Sequence, residues 1–106
     1  EHLNHPSVPE ASLARARVPA GTRTRWHRVA VLECYVVREG HGRMELAGAP
    51  PFPIGPGQSV RIDALRPQRV TALGPEDLVF DCVCVPRFRP ELYEDLGDGP
   101  EPARGA

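Results

Sequence analysis

An imidazole and a carboxylate, His27 and Glu33, lie six positions apart in a strand-like stretch, with Gly21 before it and Gly40 after it. Imidazole nitrogen and carboxylate oxygen are both common protein ligands of Zn, Fe, Mn and Ni. Side chains alternate between the two faces of a strand, so His27 and Glu33 can face one cavity. The two residues therefore predict a pocket for a divalent metal.

Other side chains at strand spacing from this pair are candidates for the wall of the pocket. Tyr35 lies two residues after Glu33 and can donate a phenolic hydrogen bond to a substrate, so Glu33 and Tyr35 are the candidate catalytic residues. The apolar candidates for the pocket are Val29, Val70 and Phe80. For the aromatic residues, ordinary core packing is the competing interpretation.

Two of the three cysteines, Cys82 and Cys84, share a strand face with Phe80 and are predicted to look into the core or the pocket. As free thiols they can be small buried hydrophobes. The alternative is a pair of thiolate ligands, which would favour zinc or iron. Neighbours two apart on a strand are badly placed to bridge each other, so no disulfide scaffold is predicted.

Many short strands must position these residues. Thirteen prolines and ten glycines beside six aromatics are typical of short strands separated by turns. Alternating or β-branched runs predict strands at 13–18, 29–37, 43–46, 59–62, 68–71 and 78–85. This pattern favours a sandwich or barrel.

The chain has room for one domain with one modest core. We predict an N-terminal arm at 1–11, a single domain at 12–97 and a disordered tail at 98–106. Pro90, the acids that follow it and Gly97 predict a short helix at the end of the domain.

Composition excludes several classes of function. All thirteen basic residues are arginine, so no side chain can form a Schiff base. The arginines are interleaved with acids and form no basic stripe, so nucleic-acid binding is not predicted. No apolar run is long enough to span a membrane, and no signal pattern opens the chain, so we expect a cytoplasmic protein.

The spacing around His27 resembles the first motif of the cupin family. In that motif a glycine is followed by a histidine, then by a carboxylate and a closing glycine, and here these are Gly21, His27, Glu33 and Gly40. The family has a second histidine two residues after the first. This chain has Val29 there.

The second cupin motif is similar to the stretch that begins at Pro56-Gly57. Gln68 stands where the family has its third histidine, and Ala72 stands where it has an asparagine. The resemblance covers residues 12–92. It implies an all-β fold, an antiparallel jelly-roll barrel that ends in the short helix predicted above.

The resemblance also implies a metal site at one end of the barrel, with His27, Glu33 and Gln68 as ligands of Zn, Fe, Mn or Ni. The expected function is that of a small metal-dependent cupin acting on a small organic molecule, by dioxygenase, isomerase or polyketide-cyclase chemistry. The alternative is a metal-free cupin that binds a small ligand or serves as a structural module. A homodimer is expected in either case.

Overall fold

The computed structural model describes residues 2–3, 11–86 and 88–97. The strands are β1 (His2–Leu3), β2 (Ser12–Val18), β3 (Trp26–Val29), β4 (Leu32–Glu39), β5 (Gly42–Leu46), β6 (Phe52–Ile54), β7 (Ser59–Ile62), β8 (Gln68–Ala72), β9 (Leu78–Val85) and β10 (Tyr93–Gly97). A single turn of 3-10 helix, Pro90–Leu92, precedes β10. Among the described residues, no helix is long and apolar enough to cross a membrane.

The strands form two five-stranded sheets. The first sheet has the order β1-β2-β9-β4-β7 and the second has the order β10-β3-β8-β5-β6. The strand pairs are antiparallel. β2, near the start of the domain, pairs with β9, near its end. The prediction of an all-β, antiparallel jelly-roll fold is confirmed.

Alternation along β4 decides which side chains enter the space between the sheets. Glu33, Tyr35 and Val37 are buried, whereas Cys34 and Val36 between them are half-buried. This is the period of two that the sequence predicted, with Glu33 and Tyr35 on one face. The acid and the phenol therefore project inward together.

The segment predicted as one strand over 29–37 is divided in two. The chain bends at Ala30 and Val31, so that β3 belongs to the second sheet and β4 to the first. The bend places His27 and Glu33 on facing sheets, and not along one strand. They can approach one cavity because the chain crosses from one sheet to the other between them.

The core lies between the two sheets. Its fully buried side chains include Met44, Ile62, Leu78 and Val37. A second, smaller cluster forms around Val29, Val31 and Cys84, and Cys82 packs against both clusters.

At position 40, directly after β4, the surrounding structure requires a glycine. Its φ is +79°, a conformation that disfavours residues with a Cβ. A Cβ there would collide with the carbonyl oxygen of Asp77 and lie 3.0 Å from the Cα of Leu78. The start of β9 therefore packs directly on the backbone of this turn.

The predicted helix over 90–97 is wrong beyond its first turn. Pro90–Leu92 forms the 3-10 turn, and the chain then extends as β10 to pair with the edge of β3. A helix of this length is marginal on its own, because few hydrogen bonds offset the cost of nucleation. Pairing with β3 adds ladder hydrogen bonds and the cross-strand ion pairs Arg25–Asp95 and Arg28–Glu94.

At the other end of the chain, His2–Leu3 pairs antiparallel with β2, where Leu3 is opposite Leu13. The rest of the predicted arm lies outside the described residues, apart from position 11. The predicted disordered tail at 98–106 also lies outside them.

Candidate functional site

A cavity of about 280 Å³ opens between the two sheets. The first sheet lines it with Ser12, Ala14 and Ala16 of β2, Glu33 and Tyr35 of β4, and Phe80, Cys82 and Cys84 of β9. The opposite wall is formed by Thr24, His27, Val29, Phe88 and Tyr93. The lining is mainly apolar, with a few convergent polar groups, as is usual for a small-molecule site.

A buried chain of hydrogen bonds connects the two sheets beside the cavity. The Tyr35 hydroxyl donates to Gln68 Oε1 at 2.5 Å, and Gln68 Nε2 donates to Glu33 Oε1. The side chain of Gln68 is fully buried. Its amide is therefore engaged at both ends and holds one oxygen of Glu33 in place.

The second oxygen of Glu33 lies beside the cysteine pair. Glu33 is directly opposite Cys84 in the register of β4 and β9, and Tyr35 is opposite Cys82. Cys82 Sγ donates to Glu33 Oε2 at 3.4 Å, and the two sulfur atoms are 3.9 Å apart. Antiparallel pairing thus brings one carboxylate and two thiols to one point on the cavity wall.

These three residues fit a divalent metal. Among the residues that the structure describes, Glu33, Cys82 and Cys84 form a group in which one ligand atom from each lies within 4.8 Å of the others. Carboxylate oxygen and thiolate sulfur are both zinc ligands, and thiolate also suits iron. His27 is not part of this group.

The two cysteines are electrostatically unequal. The hydrogen bond between them, burial and the Glu33 carboxylate raise the pKa of the Cys82 thiol. The same contact between the sulfur atoms lowers the pKa of Cys84 from its ordinary value. The pKa of Cys84 is therefore lower than that of Cys82.

Tyr35 is a fixed proton donor. Burial first, and the nearby Glu33 carboxylate second, raise the pKa of Tyr35 well above its ordinary value of 10.0. Its ring stacks on Phe80 with centroids 4.3 Å apart. The phenol keeps its proton and directs it to Gln68.

His27 enters the cavity from the opposite sheet. Its Nδ1 donates to the carbonyl oxygen of Arg25 at 2.9 Å, which leaves Nε2 with the lone pair in the neutral ring. The ring stacks on Tyr93, with centroids 5.3 Å apart and planes 19° apart. The contacts of His27 thus fix both its tautomer and its orientation.

The structure brings most of the predicted site residues together. The cavity is lined by His27, Val29, Glu33, Tyr35, Phe80, Cys82 and Cys84. Gln68 and Val70 on β8 are not among its lining residues. Gln68 contacts Glu33 from the facing sheet, and Val70 packs in the main core with 1% of its surface exposed.

Sequence reasoning missed the part of the wall that Tyr93 and Phe88 supply. The helix predicted over 90–97 gives no reason to place the ring of Tyr93 beside His27. The sequence does contain one indication of a strand there: the basic residues Arg25 and Arg28 and the acidic residues Asp95 and Glu94 have the opposite charges that are typical of cross-strand pairs.

Comparison with known families agrees with the fold and the motifs. The family model described as "Cupin domain" matches residues 14–86, which is more than half of the chain. The protein belongs to the cupin family. No curated protein sequence matches it.

Solved structures show the same fold at low sequence identity. A DMSP lyase from Ruegeria pomeroyi superposes with a TM-score of 0.76 and 18% identity, over 88% of this chain and 46% of the lyase. A cupin-like protein from Thermotoga maritima gives 0.74 and 23% identity, over 87% of this chain and 68% of that one. Oxalate decarboxylase from Bacillus subtilis gives 0.78 and 19%, over 86% of this chain and 25% of the enzyme.

The chain therefore spans about half the length of the lyase and a quarter of that of the decarboxylase. Likeness at this level of identity concerns the fold, and activity depends on the residues of each site.

Proposed function

We propose that this cupin is a metal-dependent protein that acts on a small organic molecule in the cavity between its sheets. The observation that carries the proposal is the convergence of Glu33, Cys82 and Cys84 on the cavity wall. Two of the proteins that share the fold are enzymes by name, a lyase and a decarboxylase, so the fold accommodates catalysis.

The donor set favours zinc or iron over manganese and nickel, because two of the three ligand atoms are sulfur. His27 is a further ligand in this proposal, with its Nε2 lone pair free. The set implied by the cupin motifs also includes Gln68. For Gln68 to bind the metal, its amide oxygen would have to exchange the Tyr35 hydroxyl for the ion.

The bound metal would supply Lewis acidity or, if it is iron, a site for dioxygen. The chain's own residues supply position and exclusion of water. Gln68 holds Glu33, and the stacked Tyr35 and Phe80 rings form an apolar wall. Because Tyr35 directs its proton to Gln68, its phenolic oxygen offers a substrate an acceptor. The reaction class covers oxygenase, isomerase and cyclase chemistry.

The second candidate is a metal-free cupin that holds a small ligand. It is favoured by the hydrogen-bond chain from Tyr35 through Gln68 to Glu33, which pairs these buried groups with one another. In that case the same cavity binds without catalysing a reaction.

We also propose a cytoplasmic homodimer. Leu13 and Val85, on neighbouring strands of the first sheet, expose 37% and 44% of their surface and would be covered by a second copy. Sedimentation equilibrium at several concentrations should give the mass of two chains. A monomer mass throughout would contradict the dimer.

Elemental analysis of protein purified without a histidine tag tests the leading proposal. We expect close to one equivalent of zinc or iron, lost in Cys84→Ser and His27→Ala. Cys34→Ser is the matched control and should keep its metal, because Cys34 is not among the cavity's lining residues. Protein that stays empty when offered each ion would favour the second candidate.

Reconstitution with Co²⁺ gives a separate readout for the cysteines. Thiolate ligation produces a sulfur-to-cobalt charge-transfer absorption in the near ultraviolet, which should be strong in the wild type and reduced in Cys82→Ser and in Cys84→Ser. Unchanged absorption in both variants would show that neither sulfur binds the metal.

A further inference from the structure

The charged groups that line the cavity carry an unbalanced negative charge, as far as the structure describes them. Among the described residues that line it, Glu33 is the one carboxylate, and no arginine is present. The two arginines on either side of His27 pair with other carboxylates: Arg25 with Asp95, and Arg28 with Glu94. The chain has no lysine that could take their place.

Aromatic rings make up much of the rest of the lining. Tyr35 and Phe80 form one stacked pair, and His27 and Tyr93 form another at 5.3 Å. Phe88 adds a fifth ring. The face of a phenyl or phenol ring carries negative potential and attracts cations.

A bound metal would not reverse this charge. A divalent ion held by one carboxylate and two thiolates leaves a formal charge of −1, and protonation of one sulfur brings it to zero. The site is therefore negative or neutral in each of these states. An anionic ligand would have to be buried beside Glu33, and none of the described lining residues is an arginine that could pair with it.

We propose that the cavity takes a small organic cation, a substituted ammonium group with short apolar substituents, in preference to a carboxylate or a phosphate. The inference rests on the proposed function, because it assigns the substrate class of the same cavity. The cation lies against the aromatic rings with its charge towards Glu33. At about 280 Å³, the cavity accommodates a group of this size but not an extended chain.

Three probes of the same shape test the charge preference. They are choline, its neutral carbon isostere 3,3-dimethylbutan-1-ol, and the anion 3,3-dimethylbutanoate. Binding is measured by titration calorimetry at pH 8. We expect choline to bind at least tenfold more tightly than the isostere, and the anion to bind most weakly.

Variants connect the preference to the cavity. Glu33→Gln should abolish the advantage of choline over the isostere. Tyr93→Leu should reduce that advantage several-fold, whereas the matched control Tyr93→Phe keeps the ring and should retain it. Tyr93 is 45% exposed, so these two variants test the ring with little risk to the fold.

Each titration is performed on chelator-treated protein and on zinc-loaded protein. Preference for choline in the chelator-treated protein supports the inference even if no metal binds. Failure of the metal proposal can therefore be distinguished from failure of this inference. Equal binding of choline and the isostere, tighter binding of the anion, or no binding of any probe at millimolar concentration would overturn it.

Discussion

At the scale of residues, Glu33 is the group on which the site depends. One of its oxygens accepts from Gln68, and the other accepts from Cys82. Because one contact comes from β9 in the same sheet and the other from β8 in the facing sheet, the carboxylate is held in one orientation at the cavity wall. A metal or ligand therefore binds a Glu33 side chain whose rotation is already restricted.

The buried contact between Tyr35 and Gln68 should be measurable as a coupling energy. Tyr35→Phe and Gln68→Leu each leave a buried polar partner without its hydrogen bond, so each should lower the free energy of unfolding by about 1–3 kcal/mol. The double variant should cost less than the sum of the two, because it leaves fewer orphaned groups. Urea denaturation of all four proteins gives the cycle.

Tyr93→Phe is the control for this cycle, since it removes a hydroxyl from a residue that is 45% exposed. It should change stability by no more than about 0.5 kcal/mol. Strictly additive effects of Tyr35→Phe and Gln68→Leu would contradict the contact.

At the scale of elements, the turn after β4 packs on the start of β9, its neighbour in the first sheet. Gly40 and Gly21 have nearly the same φ, +79° and +80°. They differ in their surroundings, since a Cβ at Gly21 would meet no atom within 4 Å, whereas one at Gly40 would meet the backbone of Asp77 and Leu78. The pair therefore separates backbone strain from collision.

Gly21→Ala should lower the free energy of unfolding by about 1–2 kcal/mol, the cost of placing a Cβ in the left-handed region. Gly40→Ala should cost clearly more, since the β4 turn must also move away from β9. Thermal and urea unfolding of both variants measures the difference. Equal losses would show that the collision is relieved without cost.

A cross-strand ion pair between β5 and β8 should contribute to the acid sensitivity of the fold. The hydrogen bond from Arg69 lowers the pKa of Glu45 from its ordinary value of 4.5. The stabilisation is therefore fully present above pH 4.5 and is lost as the pH falls through the lower folded pKa. The pair is directly opposed in the register, and both side chains are largely shielded from water.

Glu45→Gln should cost about 0.5–1 kcal/mol at pH 7 and should make the loss of stability below pH 4.5 less steep. The control is Glu39→Gln, at an exposed position near the end of β4. Urea unfolding from pH 6 down to pH 3 gives both curves. Parallel curves for the wild type and Glu45→Gln would exclude the pair as a source of acid sensitivity.

The elements also show what sequence reasoning could and could not provide. Period-two alternation placed Glu33 and Tyr35 on the buried face, because strand geometry alone determines that. The bend at Ala30 and Val31 could not be read in the same way, since no glycine or proline marks it. It depends on which sheet each flanking strand joins.

The same distinction applies to Gln68 and Tyr93. The motif placed Gln68 next to the site, but only the packing of β8 against β4 shows that its amide is already engaged. Tyr93 follows Pro90 and Glu91, which are typical of a helix start, and pairing with β3 outweighs that local preference. Local signals thus predicted the strands, whereas contacts between the sheets decided the site.

At the scale of the whole molecule, the cavity lies where two sheets and two hydrophobic clusters meet. Glu33, Cys82 and Cys84 belong to the first sheet, whereas His27 and Tyr93 belong to the second. A ligand or metal that contacts both groups would hold the sheets together. Its binding should therefore stabilise the whole fold and not a single loop.

Metal loading should raise the Tm of the protein. A metal that binds the folded chain alone, at a hundredfold excess over its Kd, adds about 2.7 kcal/mol, or roughly 10 °C in Tm for a domain of this size. Differential scanning calorimetry with and without a chelator should show this shift in the wild type and in Cys34→Ser. It should be absent from Cys84→Ser, and a chelator-independent Tm in the wild type would contradict metal binding.

X-ray absorption spectroscopy at the metal edge of the reconstituted protein tests the central claim most directly. If Glu33, Cys82 and Cys84 hold the ion, the spectrum should require two sulfur ligands at about 2.3 Å together with nitrogen or oxygen ligands at about 2.0–2.2 Å. The sulfur contribution should be unchanged in Cys34→Ser, because Cys34 is not part of the ligand group. A spectrum explained by nitrogen and oxygen alone would contradict the cysteine site.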